Sequence, residues 1–397
     1  MKKSEAKKFS EVKKLFASGV SKNQIAEQLR IRKQTIIGWL SQEEYTEGRG
    51  WTKDKKRKYS DTEEQRIITL KQARIDSKKY FVGAPFVQMD YSVRYPEDTL
   101  PSEWFSKEVT RKAGLQTHEP KKKKTGQSIV SRLLYPIKTI VGLGKVQPSC
   151  DFIGKMYISG SKEPVNIFAT SFYQVFKLYQ IWLVYGETAE SAITKLLDFW
   201  SRYPLPHVMR VDNGMSFRGT GVIEGKVGRF VKFLLNLNIT PLFSAAYQAY
   251  TNPHIEGHNR TFDDKLWRTN FFTSLADLDT ACIRFNAESS DFFAWKFKER
   301  LSKGNVRRMS SKSVINSEVL RSAKGKKICF IRFVQRWKEA HEVAGVVVLN
   351  KFVEVPPLYL NQYVFVTINL ETTMINIISE SNGQVYQIIN QRFELTL

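Results

Sequence analysis

Residues 207–217 read His207-Val208-Met209-Arg210-Val211-Asp212-Asn213-Gly214-Met215-Ser216-Phe217. A short apolar run that ends on an acid and then Asn-Gly reads as a buried strand handing a carboxylate to a turn. Upstream, Cys150-Asp151-Phe152-Ile153-Gly154 opens another strand with an acid set inside it. Downstream, Asn252-Pro253-His254-Ile255-Glu256-Gly257-His258-Asn259 puts a third acid at the start of a helix. An acid within an apolar strand is costly to bury unless it binds a cation. Three such acids brought together make an incomplete, oxygen-only shell, which suits Mg²⁺ or Mn²⁺.

The surrounding pattern supplies a sheet to hold them. Residues 151–158, 165–173 and 177–185 read as three strands, with turns at Gly160 and near Tyr173. A helix at 188–202 follows, with Ala192, Leu196, Leu197 and Trp200 on one face. Then come a strand at 207–211, a helix at 225–237, a strand at 239–244 and a helix from Pro253–Glu256. Three antiparallel strands followed by strand–helix alternation predict a mixed five-stranded sheet with helices on both faces, over residues 148–300.

Three further segments flank this core, separated by basic, Gly-containing stretches at 41–60, 114–147 and 302–327. In residues 1–45, Ser10 is read as capping a helix that runs through Phe16 and stops at Gly19. Ser21 and Gln24 make a capping box for the next helix. Ile25 with Leu29, and Ile36 with Leu40, give two short helices one apolar seam, a helix-turn-helix pattern. Arg32, Lys33, Gln34 and Thr35 then face outward, where they can reach bases and phosphates. Residues 61–115 read as a second helix-turn-helix or winged-helix-like domain, with Lys107, Arg111 and Lys112 facing DNA. Residues 327–397 hold β-branched and aromatic runs at 328–334, 344–355, 362–370, 374–379 and 384–395. With the Ser381-Asn382-Gly383 turn, they predict a small all-β barrel. The expected fold class is therefore multidomain: α-helical units, an α/β core and an all-β module.

The chain has 397 residues and a net charge of +23, of which +15 lies in residues 1–150. Charge spread this widely fits an extended polyanion better than a small pocket. No apolar run is long enough for a membrane span, and Met1–Lys14 leads into no signal-peptide core. The three cysteines, Cys150, Cys282 and Cys329, have neither zinc-ribbon nor disulfide spacing and fit a reducing cytoplasm.

The three acidic motifs together, D-F-I-G, V-D-N-G-x-x-F and N-x-x-x-E-x-x-N, resemble the catalytic core of the DDE transposases and retroviral-type integrases. Asp212-Asn213-Gly214-Met215-Ser216-Phe217 is the most specific part. The resemblance covers residues 148–300. It extends loosely to an amino-terminal helix-turn-helix pair and a carboxy-terminal β-barrel, as in many bacterial insertion-sequence transposases. It implies an RNase H-like core, with Asp151, Asp212 and Glu256 as both catalytic triad and ligands of two Mg²⁺ or Mn²⁺ ions. It also implies double-stranded DNA partners (transposon ends and target), a homo-multimer assembled on DNA, no membrane association and a cytoplasmic, nucleoid-associated, prokaryotic setting. Lys155, Arg210, Arg260 and Lys265 are expected to grip phosphates, and Asn213, His258 and Asn259 to support the metal site. Of the barrel's cations, Lys326, Lys327, Arg332 and Arg336 are expected to face DNA or another subunit.

This chain departs from the family pattern in places. The gap of 43 residues between Asp212 and Glu256 is longer than in the best-known relatives. Asp263 stands where a basic residue is usual, and the second strand lacks an Asp-x-x-Ser-Arg motif. The expected function is metal-dependent DNA cleavage and strand transfer. The alternative is a catalytically inactive or repurposed transposase acting as a sequence-specific DNA-binding regulator; a third reading is an RNase H-like nuclease without strand transfer. Asp90 competes for the role of first acid but lies farther upstream, beyond a basic linker. His254 and His258 have helical zinc-ligand spacing, but Glu256 falls on the wrong side of the helix for zinc hydrolysis.

Overall fold

The computed structural model describes residues 2–45, 59–116, 135–144, 148–172, 178–219, 221–245, 253–303, 307–309, 317–337, 343–381 and 383–397. The run Lys121–Lys124, Tyr173 and Asn252 lie outside them, as do the side chains of Pro253 and His254. Chain contacts divide the molecule into two units, Met1–Ser60 and Asp61–Leu397.

In the first unit, helices α1 (Lys2–Ala17), α2 (Lys22–Leu29) and α3 (Lys33–Leu40) enclose Val12, Ile25 and Ile36. The expected capping box is present. Ser21 N–H donates to Gln24 Oε1 at 3.2 Å, and Gln24 N–H donates to Ser21 Oγ at 3.4 Å. Helix α1 starts earlier than expected, so Ser10 lies inside it and caps nothing. The reason is Phe9, buried one turn before Val12 and packed edge-on against Trp39. Gly19, at φ +88°, ends the helix in the left-handed conformation that glycine adopts without strain.

In the second unit, α4 (Asp61–Asp76), α5 (Ala84–Arg94) and α6 (Glu103–Lys112) share a small core of Ile67, Leu70, Val87, Tyr91 and Val109. Ser102 Oγ caps α6 by accepting from Phe105 N–H at 3.2 Å. Among the described residues no strand lies between α6 and Ser149; the short α7 (Ile137–Gly142) stands there instead.

The sheet begins with β1 (Ser149–Met156), β2 (Val165–Phe172) and β3 (Leu178–Val184), which pair antiparallel. Helix α8 (Ala189–Arg202) leads to β4 (Val208–Val211), then α9 (Met215–Arg218), α10 (Arg229–Asn236) and β5 (Thr240–Phe243). Helix α11 (Pro253–Phe262) runs into a π-helical turn at Asp263–Trp267, and α12 (Leu275–Lys303) follows. Strand β4 is parallel to β1, and β5 is parallel to β4. Alternation along the strands splits the core. Cys150 and Phe168 face α8 and α10, whereas Ile153, Ile167 and Ala169 face α11 and α12. Helix α12 also covers the edge strand β3. The Asn286 side chain accepts from Ile181 N–H at 2.9 Å and donates to Ile181 C=O at 2.6 Å, so backbone groups on that edge are satisfied.

The carboxy-terminal strands are β6 (Lys327–Phe333), β7 (Gln335–Trp337), β8 (Val343–Val348), β9 (Lys351–Glu354), β10 (Tyr363–Asn369), β11 (Met374–Ser381) and β12 (Gln384–Arg392). They do not stand apart as a barrel. Strand β6 pairs parallel with β5, giving one nine-stranded mixed sheet in the order β12-β11-β10-β6-β5-β4-β1-β2-β3. Strands β7, β8 and β9 form a separate three-stranded antiparallel sheet. The physical reason lies in β6 itself. Residues 328–332 are all buried, as a strand covered on both faces in mid-sheet requires. The run expected as one strand at 344–355 is a hairpin, because Leu349 and Asn350 both take positive φ, 46° and 63°. Among the described residues no helix is long and apolar enough to cross a membrane.

Candidate functional site

Strand register brings the first two acids together. Ser149 on β1 pairs with Arg210 on β4, and the strands run parallel. Two residues further along each strand, Asp151 and Asp212 therefore stand level on neighbouring strands. Cys150 is buried among the apolar side chains beneath α8, so Asp151 faces the opposite layer, toward α11. There Asn259 Nδ2 donates to Asp151 Oδ2 at 3.1 Å.

The Asp212 turn is built to hold its carboxylate still. Gly214 N–H donates to Asp212 Oδ1 at 2.9 Å. A Cβ at Gly214 would come within 3.1 Å of that same oxygen, which explains the Gly in Asp-Asn-Gly. Asn213 Nδ2 donates to Ser244 C=O at the end of β5, at 2.6 Å. Asn213 Oδ1 accepts from Arg332 on β6 at 2.9 Å. Arg332 is only 8% exposed and also donates to the carbonyls of Ser244 and Val347. The acid-bearing turn, two central strands and β8 are thereby tied by one guanidinium. Arg332 is thus a bracket inside the fold and not the surface cation its composition implied; burial, with Arg218 nearby, lowers its pKa to about 9.

Electrostatics set the pair apart. Burial and the neighbouring Asp212 push Asp151 up to about 7. Burial also raises Asp212. Glu187, just before α8, raises both, a role its sequence context did not reveal. Among the described residues, the groups acting on these aspartates include no basic side chain. Two desolvated carboxyls side by side without a counter-charge must hold a proton or take up a cation.

Glu256 stands differently. It lies one turn before Asn259 on α11, on the same side of the helix. It is exposed, and burial with Arg260 opposing raises its pKa; neither aspartate acts on it. Among the described residues no group of three or more His, Cys, Asp or Glu side chains is placed to hold one metal ion. Two of the three expected ligands are brought together, and the donor set of that pair fits an oxygen-preferring cation.

The remaining expected residues scatter. Arg32, Lys33, Gln34 and Thr35 are all exposed on the first unit, and Lys107, Arg111 and Lys112 are exposed on α6, where Arg111 pairs with Glu108. Lys155 and Arg260 are exposed. Lys265 is half-buried over the Phe81 ring at 5.9 Å, and burial lowers its pKa. Arg210 is buried within β4. Asp90 forms a two-pronged pair with Arg74 at 3.0 and 2.8 Å, far in role from the other acids. Cys150 is buried, and burial raises its thiol, as a core residue requires. His258 is fully buried against Tyr179.

No family model matches the chain, and no curated protein matches it. Among solved structures, the simian T-cell lymphotropic virus intasome in complex with PP2A regulatory subunit B56 gamma matches at 11% identity. The match covers 81% of this chain and 98% of that chain, with a TM-score of 0.29. A likeness this loose transfers neither a fold nor an activity.

Proposed function

We propose that this chain is a DDE-type DNA transposase that binds the ends of its element, cleaves them and joins them to target DNA. One observation carries the reading: Asp151 and Asp212 stand level at neighbouring parallel strands, desolvated and with no basic partner among the described residues. The strand order β3-β2-β1-β4-β5 supports an RNase H-like core, extended by the carboxy-terminal strands. The exposed Arg32 and Lys33 at the start of α3 and the charge of +23 support DNA as the partner.

In this reading Asp151 and Asp212 would hold the divalent ions, and Glu256 would complete the set from α11. Such ions lower the barrier to attack at phosphorus and stabilise the leaving oxygen. The protein's own part is geometric. Gly214 N–H holds one oxygen of Asp212, and Asn259 Nδ2 with the Phe152 backbone holds the Asp151 carboxylate. Water attack at the element end breaks the bond from phosphorus to the 3′ oxygen and leaves a 5′ phosphate on the flanking DNA; the freed 3′-OH then attacks a target phosphodiester, joining to its phosphorus and releasing a target 3′-OH. No side-chain nucleophile is required.

The test is Mg²⁺- or Mn²⁺-dependent nicking of labelled DNA carrying the inverted repeats that flank the gene. The expected result is nicking followed by joined product, lost with a chelator. Nicking without joining favours the nuclease reading. The exposure of Glu256, on which neither aspartate acts, favours the second reading, a DNA-binding regulator without catalysis. That reading predicts tight end-binding and no nicking with either metal.

A further inference from the structure

Helix α11 holds a histidine that the proposed chemistry does not use. His258 is 0% exposed, and its ring stacks on Tyr179 with centroids 4.9 Å apart and planes 13° apart. Among the described residues, neither buried ring nitrogen has a partner within 3.5 Å, although the Asn259 side chain is near enough to act on the ring as a hydrogen-bonding group. A second unmet group lies on the next residue, where Asn259 Oδ1 is also buried without a partner. The same amide donates through Nδ2 to Asp151. In either tautomer the imidazole carries a ring N–H to donate, and the Asn259 side chain is its hydrogen-bonding neighbour.

Buried orphans of this kind call for an explanation. An Asn side chain has two ends of nearly equal shape and opposite hydrogen-bonding sense. If Asn259 flips, its oxygen meets the Asp151 carboxylate and repels it. A donor on the far side of the amide prevents the flip, and the His258 N–H is the unmatched donor beside the unmatched acceptor. We propose that His258 is a positioning residue whose ring N–H donates to Asn259 Oδ1, locking the amide with Nδ2 on Asp151. Tyr179 holds the ring in place from the sheet side. The inference deepens the proposed DNA-cleaving reading and rests on it for its effect on catalysis; the hydrogen bond itself does not.

Two measurements on the full chain separate these. In protein labelled with ¹⁵N-histidine, the His258 ring N–H gives a slowly exchanging resonance, assigned by its loss in His258→Phe. Asn259→Ala shifts that resonance and speeds its exchange. An unchanged resonance overturns the proposal, whether or not the protein cuts DNA. The second measurement is metal-dependent nicking. His258→Phe keeps an aromatic ring stacked on Tyr179 but removes the donor. It is expected to keep its melting temperature and DNA affinity, to lose roughly 10–100-fold in nicking rate and to need more Mn²⁺, as for other residues that orient a ligand through a hydrogen bond. His258→Gln, which restores a donor, recovers most of the rate. In an Asn259→Ala background, His258→Phe has no further effect. A full second loss there, or wild-type nicking by His258→Phe, overturns the proposal. A wild-type chain that cuts nothing but shows the Asn259-dependent resonance overturns the cleavage reading alone.

Discussion

Two places in the second unit bury charge, and they do it in opposite ways. Arg74 on α4 is encased by acceptors. It pairs with both Asp90 oxygens, donates from Nε to Phe81 C=O at 2.9 Å and lies 3.9 Å from Glu288. Glu288 in turn accepts from the N–H groups of Tyr80 and Phe81, at 3.2 Å each. In this cluster, between the three-helix unit and α12, each carboxylate meets the guanidinium or backbone N–H donors. Asp151 and Asp212 have backbone and amide donors but, among the described residues, no cation. A satisfied network fixes structure, whereas a desolvated pair of like charges must hold a proton or take up a cation.

The largest expected difference between the two is in activity. Asp151→Asn or Asp212→Asn reduces metal-dependent nicking to background while end-binding persists, read by gel assays on one labelled substrate. Full strand transfer by Asp151→Asn would break the contrast. Next, Arg74→Ala costs about 3–5 kcal/mol, because it strands Asp90 and Glu288 without their counter-ion; urea unfolding measures this. A loss below about 1 kcal/mol would place Arg74 among ordinary surface pairs.

The pH dependence sharpens the contrast further. Asp151 is raised from 3.8 to about 7 in the folded chain. Below about pH 4 both folded and unfolded chains hold the proton, and the folded form has its full advantage. As pH rises toward 7 the unfolded chain gives up its proton first, so that advantage is lost. At about 1.4 kcal/mol per unit, the wild type loses up to roughly 4 kcal/mol relative to Asp151→Asn across this window in a chelator. Mg²⁺ restores stability to the wild type above pH 7 and does nothing for the variant. Parallel melting curves for the two proteins would remove the argument for a buried, uncompensated pair. The smallest effect belongs to the first unit: Ser21→Ala, which removes the capping box of α2, costs about 1 kcal/mol.

Much of the site was legible as motif. Asp212-Asn213-Gly214 announces a strand ending in a tight turn, and Gly214 is needed there because its amide bonds the very oxygen a side chain would crowd. The capping box at Ser21 was equally plain, since both partners lie within one turn. What was not legible is non-local. The roles of Arg332 and Glu187 depend on strands and loops far from each in sequence coming together at one turn. The Leu349-Asn350 turn carries no Gly to mark it, so its hairpin read as one long strand.

Local chemistry thus determined the elements themselves. Apolar alternation set the strands, helical spacing set the amphipathic helices, and short-range hydrogen bonds set the caps and the Asp212 turn, because each depends only on neighbours along the chain. Tertiary structure alone decided that β6 joins β5 instead of closing a barrel, that Asp151 stands level with Asp212, and that Arg332 is buried while Glu256 stays exposed. Strand order, register and desolvation arise from contacts between residues distant in sequence, and an apolar strand reads the same whichever neighbour it finally meets.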